Sequence, residues 1–194
     1  MTDQPSHHAS DHAGYHHGNL RRAVLDAAVE AIAEQGAAAW SLRQLARRAG
    51  VSHAAPAHHF GDKAGLLTAV AAEGYTRFAD ALEAAGDDLH DVGLAYVRFA
   101  VEHRAYFEVM FTPALYRADD PDVAAARDRA DRVLAAGVRG LAAGDRPEDE
   151  RTAGLAAWSI VHGFAHLWLS GALSGVGDDP VAAARPVIRV LFER

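Results

Sequence analysis

The stretch between Ser41 and Lys63 constrains the fold of this chain more than any other. It reads SLRQLARRAGVSHAAPAHHFGDK, and two short helical patterns in it flank a tight turn at Gly50. Ser52 follows this turn and belongs to a residue type that favours the N-cap position, so we expect a helix from Ser52 to Phe60. This spacing is typical of a helix-turn-helix, whose second helix is short and exposed enough to enter a DNA major groove.

The rest of the chain has the composition and periodicity of helices. Half of the residues are hydrophobic, alanine is frequent, and we find no alternating pattern of the kind that predicts strands. The sequence therefore predicts an all-α protein of about nine helices. The first seven are expected at about 19–35, 41–49, 52–60, 63–85, 89–103, 105–115 and 122–141. An eighth helix is expected after a turn at 144–147 and should run to about 173, and a last helix starts near 180, which Pro186 should bend or interrupt.

Composition and charge exclude several classes of protein. The chain has no cysteine, so disulfides, thiolate zinc sites and cysteine nucleophiles are excluded. No apolar run is long enough to cross a bilayer, and the N-terminus lacks an apolar signal core, so we expect a cytoplasmic protein without membrane contact. The net charge is −7, but residues 16–63 carry six basic and four acidic residues and five histidines. An electropositive N-terminal unit on an acidic body is consistent with DNA binding.

Two motifs resemble those of a known family. The pattern S-L-R-x-L-A-x-x-A-G-V-S, followed by H-F-x-D-K-x-x-L-L, resembles the DNA-binding domain of the TetR family of transcriptional regulators. The lead-in from Tyr15 to Leu20 is similar to that of one branch, and W-x-x-x-H-G from Trp158 to Gly163 resembles a signature in the C-terminal domain of a branch. One departure is Ala57, where the family usually has a tyrosine that touches a phosphate.

The resemblance implies three segments. Residues 1–18 are expected to be a disordered, His-rich tail, 19–65 a helix-turn-helix DNA-binding domain, and 66–194 a ligand-binding and dimerisation domain. The expected function is that of a ligand-responsive regulator, a repressor that a small molecule releases from a near-palindromic double-stranded DNA operator. No cofactor is expected.

The DNA contacts are expected from the helix-turn-helix. Four residues, His53, Ala54, Ala57 and His58, should face base edges, and alanine suits the thymine methyl. Phosphate contacts should come from Arg43, Ser52, His59 and Lys63. This surface is poor in strong donors, so we expect modest direct readout, helped by phosphate contacts and DNA shape, and an affinity that rises on mild acidification.

Dimerisation and effector binding are expected from the C-terminal domain. By resemblance, helices eight and nine should form a four-helix interface in a homodimer, through Val161, Ala165, Leu169, Val187, Val190 and Leu191. A pocket for an apolar or aromatic effector should be lined by an aromatic and histidine set, namely Tyr96, Phe99, His103, Phe107, Met110, Phe111, Trp158, His162 and His166. Such aromatic stripes at helical spacing also occur in ordinary cores.

Two other functions remain open from the sequence. The first is a small-molecule binding module without DNA binding, which Ala57 and the donor-poor recognition helix suggest. The second is a small helical hydrolase or metal enzyme built on His162 and His166. No carboxylate lies at a metal-ligand spacing from these histidines, and no nucleophile elbow accompanies Ser159, so we expect neither metal nor catalysis.

Overall fold

The computed structural model describes residues 11–139 and 147–192, and within them the chain forms nine α-helices and no strand. The helices are α1 (Asp11–Gln35), α2 (Leu42–Arg48), α3 (Ala55–Phe60), α4 (Lys63–Ala84), α5 (Leu89–Glu102), α6 (Arg104–Met110), α7 (Pro121–Arg139), α8 (Pro147–Leu169) and α9 (Pro180–Phe192). A 3₁₀ turn covers Pro113–Leu115. The predicted all-α class is confirmed. No helix in the described ranges is long and apolar enough to span a membrane.

The first helix begins earlier than the sequence predicts. Helix α1 starts at Asp11 rather than Asn19, so residues 11–18 of the expected disordered tail are helical. Once a helix is nucleated, each added residue costs little, and Gly14 and Gly18 weaken such an extension without stopping it. Residues 1–10 of that tail lie outside the described residues, as do 144–146 of the turn predicted at 144–147, whereas Pro147 is the first residue of α8.

Local hydrogen bonds define helix α2. Ser41 and Gln44 form a capping box, in which the serine hydroxyl accepts from the Gln44 amide and the Gln44 side chain accepts from the Ser41 amide. At the other end Arg48 pairs with Glu30 and Glu34 of α1, and Leu45 is buried beneath. These contacts hold a seven-residue helix that would be too short to persist alone.

Helix α3 does not begin as predicted. It starts at Ala55 with Ala54 at the N-cap position and no side-chain cap, so the prediction that Ser52 caps it is wrong. The Ser52 carbonyl instead accepts from the Ala55 amide at 3.0 Å, which makes residues 52–55 a turn. Pro56 then occupies the first turn of the helix, where its missing N–H costs nothing.

The C-terminal domain is built from long helices around the extended α4. Helix α4 packs on α6 and α7, and α5 packs on α8 and α9. Close approach of α4 and α6 depends on Gly74, where a Cβ atom would lie 2.8 Å from the Met110 sulfur. Pro186 lies inside α9, which continues through it uninterrupted.

Candidate nucleic-acid interface and effector cavity

The recognition surface is formed by the loop after α2, by α3 and by the start of α2. Six of the predicted DNA-contacting residues are exposed, namely Arg43, Ser52, His53, Ala54, Ala57 and His58, whereas His59 and Lys63 are half-buried. Ala55, Pro56 and Phe60 point the other way and are buried, which fixes the exposed face of this short helix. The surface therefore offers one arginine, two histidines and small apolar groups to a ligand.

Lys63 is already engaged within the protein. Its ammonium group donates to the carbonyl oxygens of Ala38 at 3.0 Å and Trp40 at 2.9 Å, and lies 4.1 Å from the centroid of the Trp40 ring. Partial burial lowers the pKa of Lys63. Lys63 thus holds the loop between α1 and α2, and one of its three donors is left for a phosphate.

Two adjacent arginines of α1, Arg21 and Arg22, also have intramolecular partners. The Arg21 guanidinium lies 5.2 Å from the centroid of the Phe60 ring. Arg22 pairs with Asp26 and with Glu73 of α4, and Glu73 also accepts from Tyr106 of α6 at 2.9 Å. The Arg22–Glu73–Tyr106 contacts join α1, α4 and α6.

A cavity of about 970 Å³ lies in the C-terminal domain. Its walls come from α4, α5, α6, the 3₁₀ turn, α7 and α8, and they are mainly apolar. Such a volume and lining are typical of a site for a small molecule. Sequence reasoning missed the α7 wall, although Ala130, Leu134 and Val138 recur at the spacing of one helix face.

Polar side chains line one part of the cavity wall. The hydroxyl groups of Tyr75 and Tyr116 both donate to the Met110 carbonyl oxygen at 3.0 Å, so their oxygen atoms face a ligand only as acceptors. Burial raises the pKa of the Tyr75 hydroxyl, which therefore stays protonated. Arg127 and Asp131 of α7 add a donor and an acceptor, and burial raises the pKa of the Asp131 carboxyl.

The predicted pocket residues divide into two groups. Three of them, Met110, Phe111 and Trp158, line the cavity. The other six are not in its lining, and they form an aromatic cluster behind it, consisting of Tyr96, Phe99, His103, Phe107, His162 and His166. These six side chains pack against one another, whereas the cavity is bounded by residues of α7 and α8 that face α4 and α5.

A half-buried polar network links this cluster to Trp158 in the cavity wall. The Trp158 indole N–H donates to the Tyr96 hydroxyl at 3.2 Å, and that hydroxyl lies 2.7 Å from His162 Nδ1. Burial, with His166 as a second cause, lowers the pKa of His162 to about 4. A neutral His162 imidazole can accept a hydrogen bond from the Tyr96 hydroxyl. The indole N–H, the hydroxyl and the imidazole Nδ1 then each have a hydrogen-bond partner.

The histidines predicted for the pocket do not belong to the one group of potential metal ligands that the described residues bring together. Within the described ranges the potential ligands that come together are Asp88, His90 and Asp91 at the start of α5. His103, His162 and His166 are not part of that group. Asp88 is already used there as the N-cap, accepting from the amides of His90 and Asp91.

Helices α8 and α9 carry exposed apolar side chains. Leu155 is 59% exposed, Leu167 48%, Val187 40% and Val190 80%. Gly163 lies in the middle of α8, and a Cβ atom there would meet nothing within 4 Å. A mid-helix glycine costs about 1 kcal/mol relative to alanine, and no packing within the protomer requires it.

Comparisons with known proteins agree with these features. Residues 24–70 match the model described as bacterial regulatory proteins, tetR family, and residues 89–191 match the one described as Tetracyclin repressor-like, C-terminal domain. The HTH-type transcriptional regulator BetI of Escherichia coli is 44% identical over 62 residues, which span 32% of this chain and 32% of that relative. The chain thus aligns with about a third of the length of that curated relative.

Two solved structures from Rhodococcus extend the likeness to almost the whole chain. A protein of unknown function from Rhodococcus sp. RHA1 is 30% identical, with a TM-score of 0.71 and coverage of 98% of this chain and 97% of that chain. A bacterial regulatory protein in the tetR family from Rhodococcus RHA1 is 24% identical, with a TM-score of 0.70 and coverage of 89% and 95%. At 24% identity, the second match supports the fold and nothing beyond it.

Proposed function

Because the chain belongs to the TetR family of transcriptional regulators, we propose that it is a homodimeric repressor that a small apolar or aromatic molecule releases from its operator. The observation that carries this proposal is the pairing of an exposed helix-turn-helix surface with a cavity of about 970 Å³ in the same chain. On this proposal, residues 19–65 bind DNA, residues 66–194 bind the effector and dimerise, and the protein works in the cytoplasm.

The DNA contacts follow from what is exposed. His53, Ala54, Ala57 and His58 face the base edges, and Arg43, Ser52 and His59 contact the backbone. Lys63 contributes through one remaining N–H and through its hold on the loop between α1 and α2. Since a single six-residue helix reads only a few base pairs, two copies must bind neighbouring half-sites.

The dimer interface is proposed on the exposed face of α8 and α9. Gly163 would let a partner helix approach closely, and Leu167, Val187 and Val190 would lose their exposure to water. Of the other residues predicted for this interface, Val161 and Ala165 are buried within the protomer and Leu169 packs against the same core. The side chain of Leu191 lies outside the described residues.

The effector is proposed to occupy the cavity between α7 and α8. Met110, Phe111 and Trp158 would contact its apolar body, while Arg127 and the two tyrosine oxygens would orient its polar groups. An effector releases the operator only if it binds the DNA-free conformation more tightly than the DNA-bound one.

A direct test is a mobility-shift titration with duplexes that cover the region around the protein's own gene. The wild-type protein should shift one of them at low salt, and Arg43→Ala should weaken that complex, whereas Arg98→Ala, an exposed arginine of α5, should not. If no duplex is shifted while the C-terminal cavity still binds a ligand, the chain is a binding module without DNA binding. Ala57 and the internal hydrogen bonds of Lys63 favour that second function.

The enzyme alternative is not supported. TetR family regulators are DNA-binding proteins without catalytic activity, and the chain belongs to this family. Ser159 is exposed, and the Nδ1 atom of His162 is occupied by the Tyr96 hydroxyl.

A further inference from the structure

One short segment belongs both to the cavity wall and to the boundary with the DNA-binding unit. It runs from the start of α6 at Arg104 to Arg117 and includes the 3₁₀ turn. On one side, Met110, Phe111, Pro113 and Tyr116 line the cavity. On the other side, its polar groups contact α1 and α4. This segment therefore touches an effector and the DNA-binding unit at the same time.

The contact made by Arg117 reaches closest to the recognition helix. Its Nη2 atom donates to both carboxylate oxygens of Asp62, at 3.0 and 2.9 Å. Its backbone N–H donates to the Thr68 hydroxyl at 3.0 Å, and that hydroxyl donates to the Ala64 carbonyl at 2.7 Å. Thr68 is 6% exposed, so the backbone anchor is shielded from water. Arg117 is thus held to the first two turns of α4 by its main chain and by its side chain.

Asp62 occupies a sensitive position in the DNA-binding unit. It caps α4 by accepting from the Gly65 amide at 2.7 Å, and Gly61 alone separates it from the end of α3 at Phe60. The chain packs closely at Gly65, where a Cβ atom would lie 2.0 Å from the Phe60 carbonyl oxygen and 2.7 Å from Arg117 Nη1. Any displacement of the Arg117 guanidinium must move Asp62 or break the ion pair.

The segment's other contacts reach α1 rather than α3. Glu108 accepts from the Ala37 amide at 2.7 Å at the end of α1, and Tyr106 donates to Glu73, which pairs with Arg22. Within the described residues, the bond from Arg117 to Asp62 is the polar contact by which this segment reaches the chain directly after α3.

We propose that Arg117 is a positioning residue that sets the orientation of α3 relative to the cavity, and that filling the cavity at Pro113 and Tyr116 is transmitted to α3 through the Arg117–Asp62 pair. This inference rests on the proposed function and adds the residue that couples its two sites. Both side chains are half or more exposed, at 50% and 62%, so the pair stabilises the fold only slightly. Its loss should change operator affinity by about two- to fivefold, the range of an exposed ion pair.

The first experiment measures transmission without DNA. Hydrogen exchange at residues 61–66 is followed in the full-length protein with the cavity empty, with the cavity filled by 1-anilinonaphthalene-8-sulfonate, and in Ala135→Phe, which places a ring in the cavity from α7. Either way of filling the cavity should alter exchange at these amides in the wild type. In Arg117→Ala, and in Asp62→Asn, which keeps an acceptor for the Gly65 amide, the change should be at least halved.

The matched control is Arg98→Ala, which removes the same charge from an exposed position of α5. In Arg98→Ala, filling the cavity should change hydrogen exchange at residues 61–66 as much as it does in the wild type. The melting temperatures of all variants should lie within a few degrees of each other. If Arg117→Ala transmits the change undiminished, or if filling the cavity leaves exchange at 61–66 of the wild type unaltered by both routes, the inference is overturned.

The second experiment uses operator duplexes in which the half-site separation is varied one base pair at a time. The wild type should prefer one separation, and Arg117→Ala should bind that duplex about two- to fivefold more weakly, with a flatter dependence on separation. An unchanged profile in Arg117→Ala contradicts the inference. The wild type could bind no duplex while filling its cavity still changes hydrogen exchange at residues 61–66. In that case the proposed function fails, and the coupling through Arg117 stands.

Discussion

The DNA-binding unit and the effector domain use their polar groups in opposite ways. In the former, short helices are held by the Ser41–Gln44 capping box and by the pairing of Arg48 with Glu30 and Glu34, which lie 18 and 14 positions away in the preceding helix. In the latter, long helices surround a cavity, and polar groups distant in sequence, such as Tyr96 and His162, meet in its wall. The first region is specified by local pattern and the second by the space that large side chains leave unfilled.

The largest contrast should appear when leucine is shortened in each region. Leu45 is 1% exposed in the helix-turn-helix core, so Leu45→Ala should lower the free energy of unfolding by about 2–5 kcal/mol. Leu134 already borders the cavity, so Leu134→Ala removes fewer contacts and should cost about 1 kcal/mol. Urea unfolding of both variants measures the difference, and equal losses would show that the cavity is closed by packing in solution.

The polar network of Trp158, Tyr96 and His162 gives the next largest effect. Tyr96 is fully buried, and Tyr96→Phe would leave the Trp158 indole N–H and His162 Nδ1 without their shared partner. Because Trp158 is 39% exposed and His162 is half-buried, water can replace part of the two bonds, and we expect a loss of about 1–2 kcal/mol in the free energy of unfolding. Tyr116→Phe is the matched control, because the Met110 carbonyl oxygen keeps its bond from Tyr75. A smaller loss in Tyr96→Phe than in the control would contradict the role given to this network.

The same network predicts a dependence of stability on pH. Burial, and secondarily His166, lowers the pKa of His162 to about 4 from an ordinary value of 6.5. Because the folded state binds this proton less readily, the contribution is fully present above about pH 6.5 and is lost as the pH falls towards 4. The imidazole keeps partial contact with water, so the loss should be about 1–2 kcal/mol rather than the full linkage value.

Thermal unfolding between pH 7 and pH 4.5 measures this loss. His162→Gln should unfold with a shallower dependence on pH than the wild type, and His53→Gln, on the exposed recognition surface, should follow the wild type. Parallel curves for the wild type and His162→Gln would contradict the assignment.

The smallest effect concerns the salt dependence of DNA binding. Arg43 is exposed, so Arg43→Ala should flatten the plot of log K against log salt by about 0.9 if one phosphate contact is lost. Two of the three Lys63 donors bind carbonyl oxygens, so Lys63→Gln should lower the melting temperature and change that slope less than Arg43→Ala does. A slope change in Lys63→Gln as large as in Arg43→Ala would show that Lys63 mainly contacts phosphate.

The sequence predicted the elements whose signals are local. The helix from Lys63 and the all-α class were confirmed, because helix start signals and apolar periodicity act over one or two turns. Ser52 failed as a cap because two residues of a turn, His53 and Ala54, separate it from the helix, although it has the right side chain.

The cavity could not be derived in the same way. Helical spacing correctly grouped Phe107, His162 and their neighbours on facing sides of α6 and α8, but it does not tell a packed aromatic cluster from the lining of a void. That distinction depends on how α7 sits against α4, and the separation of those helices is a property of the whole core. The Arg117–Asp62 pair is equally non-local, since the two residues are 55 positions apart.

The three tryptophans carry a practical consequence of this architecture. Trp40 is buried beside Lys63 in the DNA-binding unit, Trp158 borders the cavity, and Trp168 stacks on Phe164 in α8. Each indole therefore samples a different surrounding. The native protein carries its own optical reporters, Trp40 in the DNA-binding unit and Trp158 and Trp168 in the effector domain, and the emission of single-tryptophan variants would report on operator and effector separately.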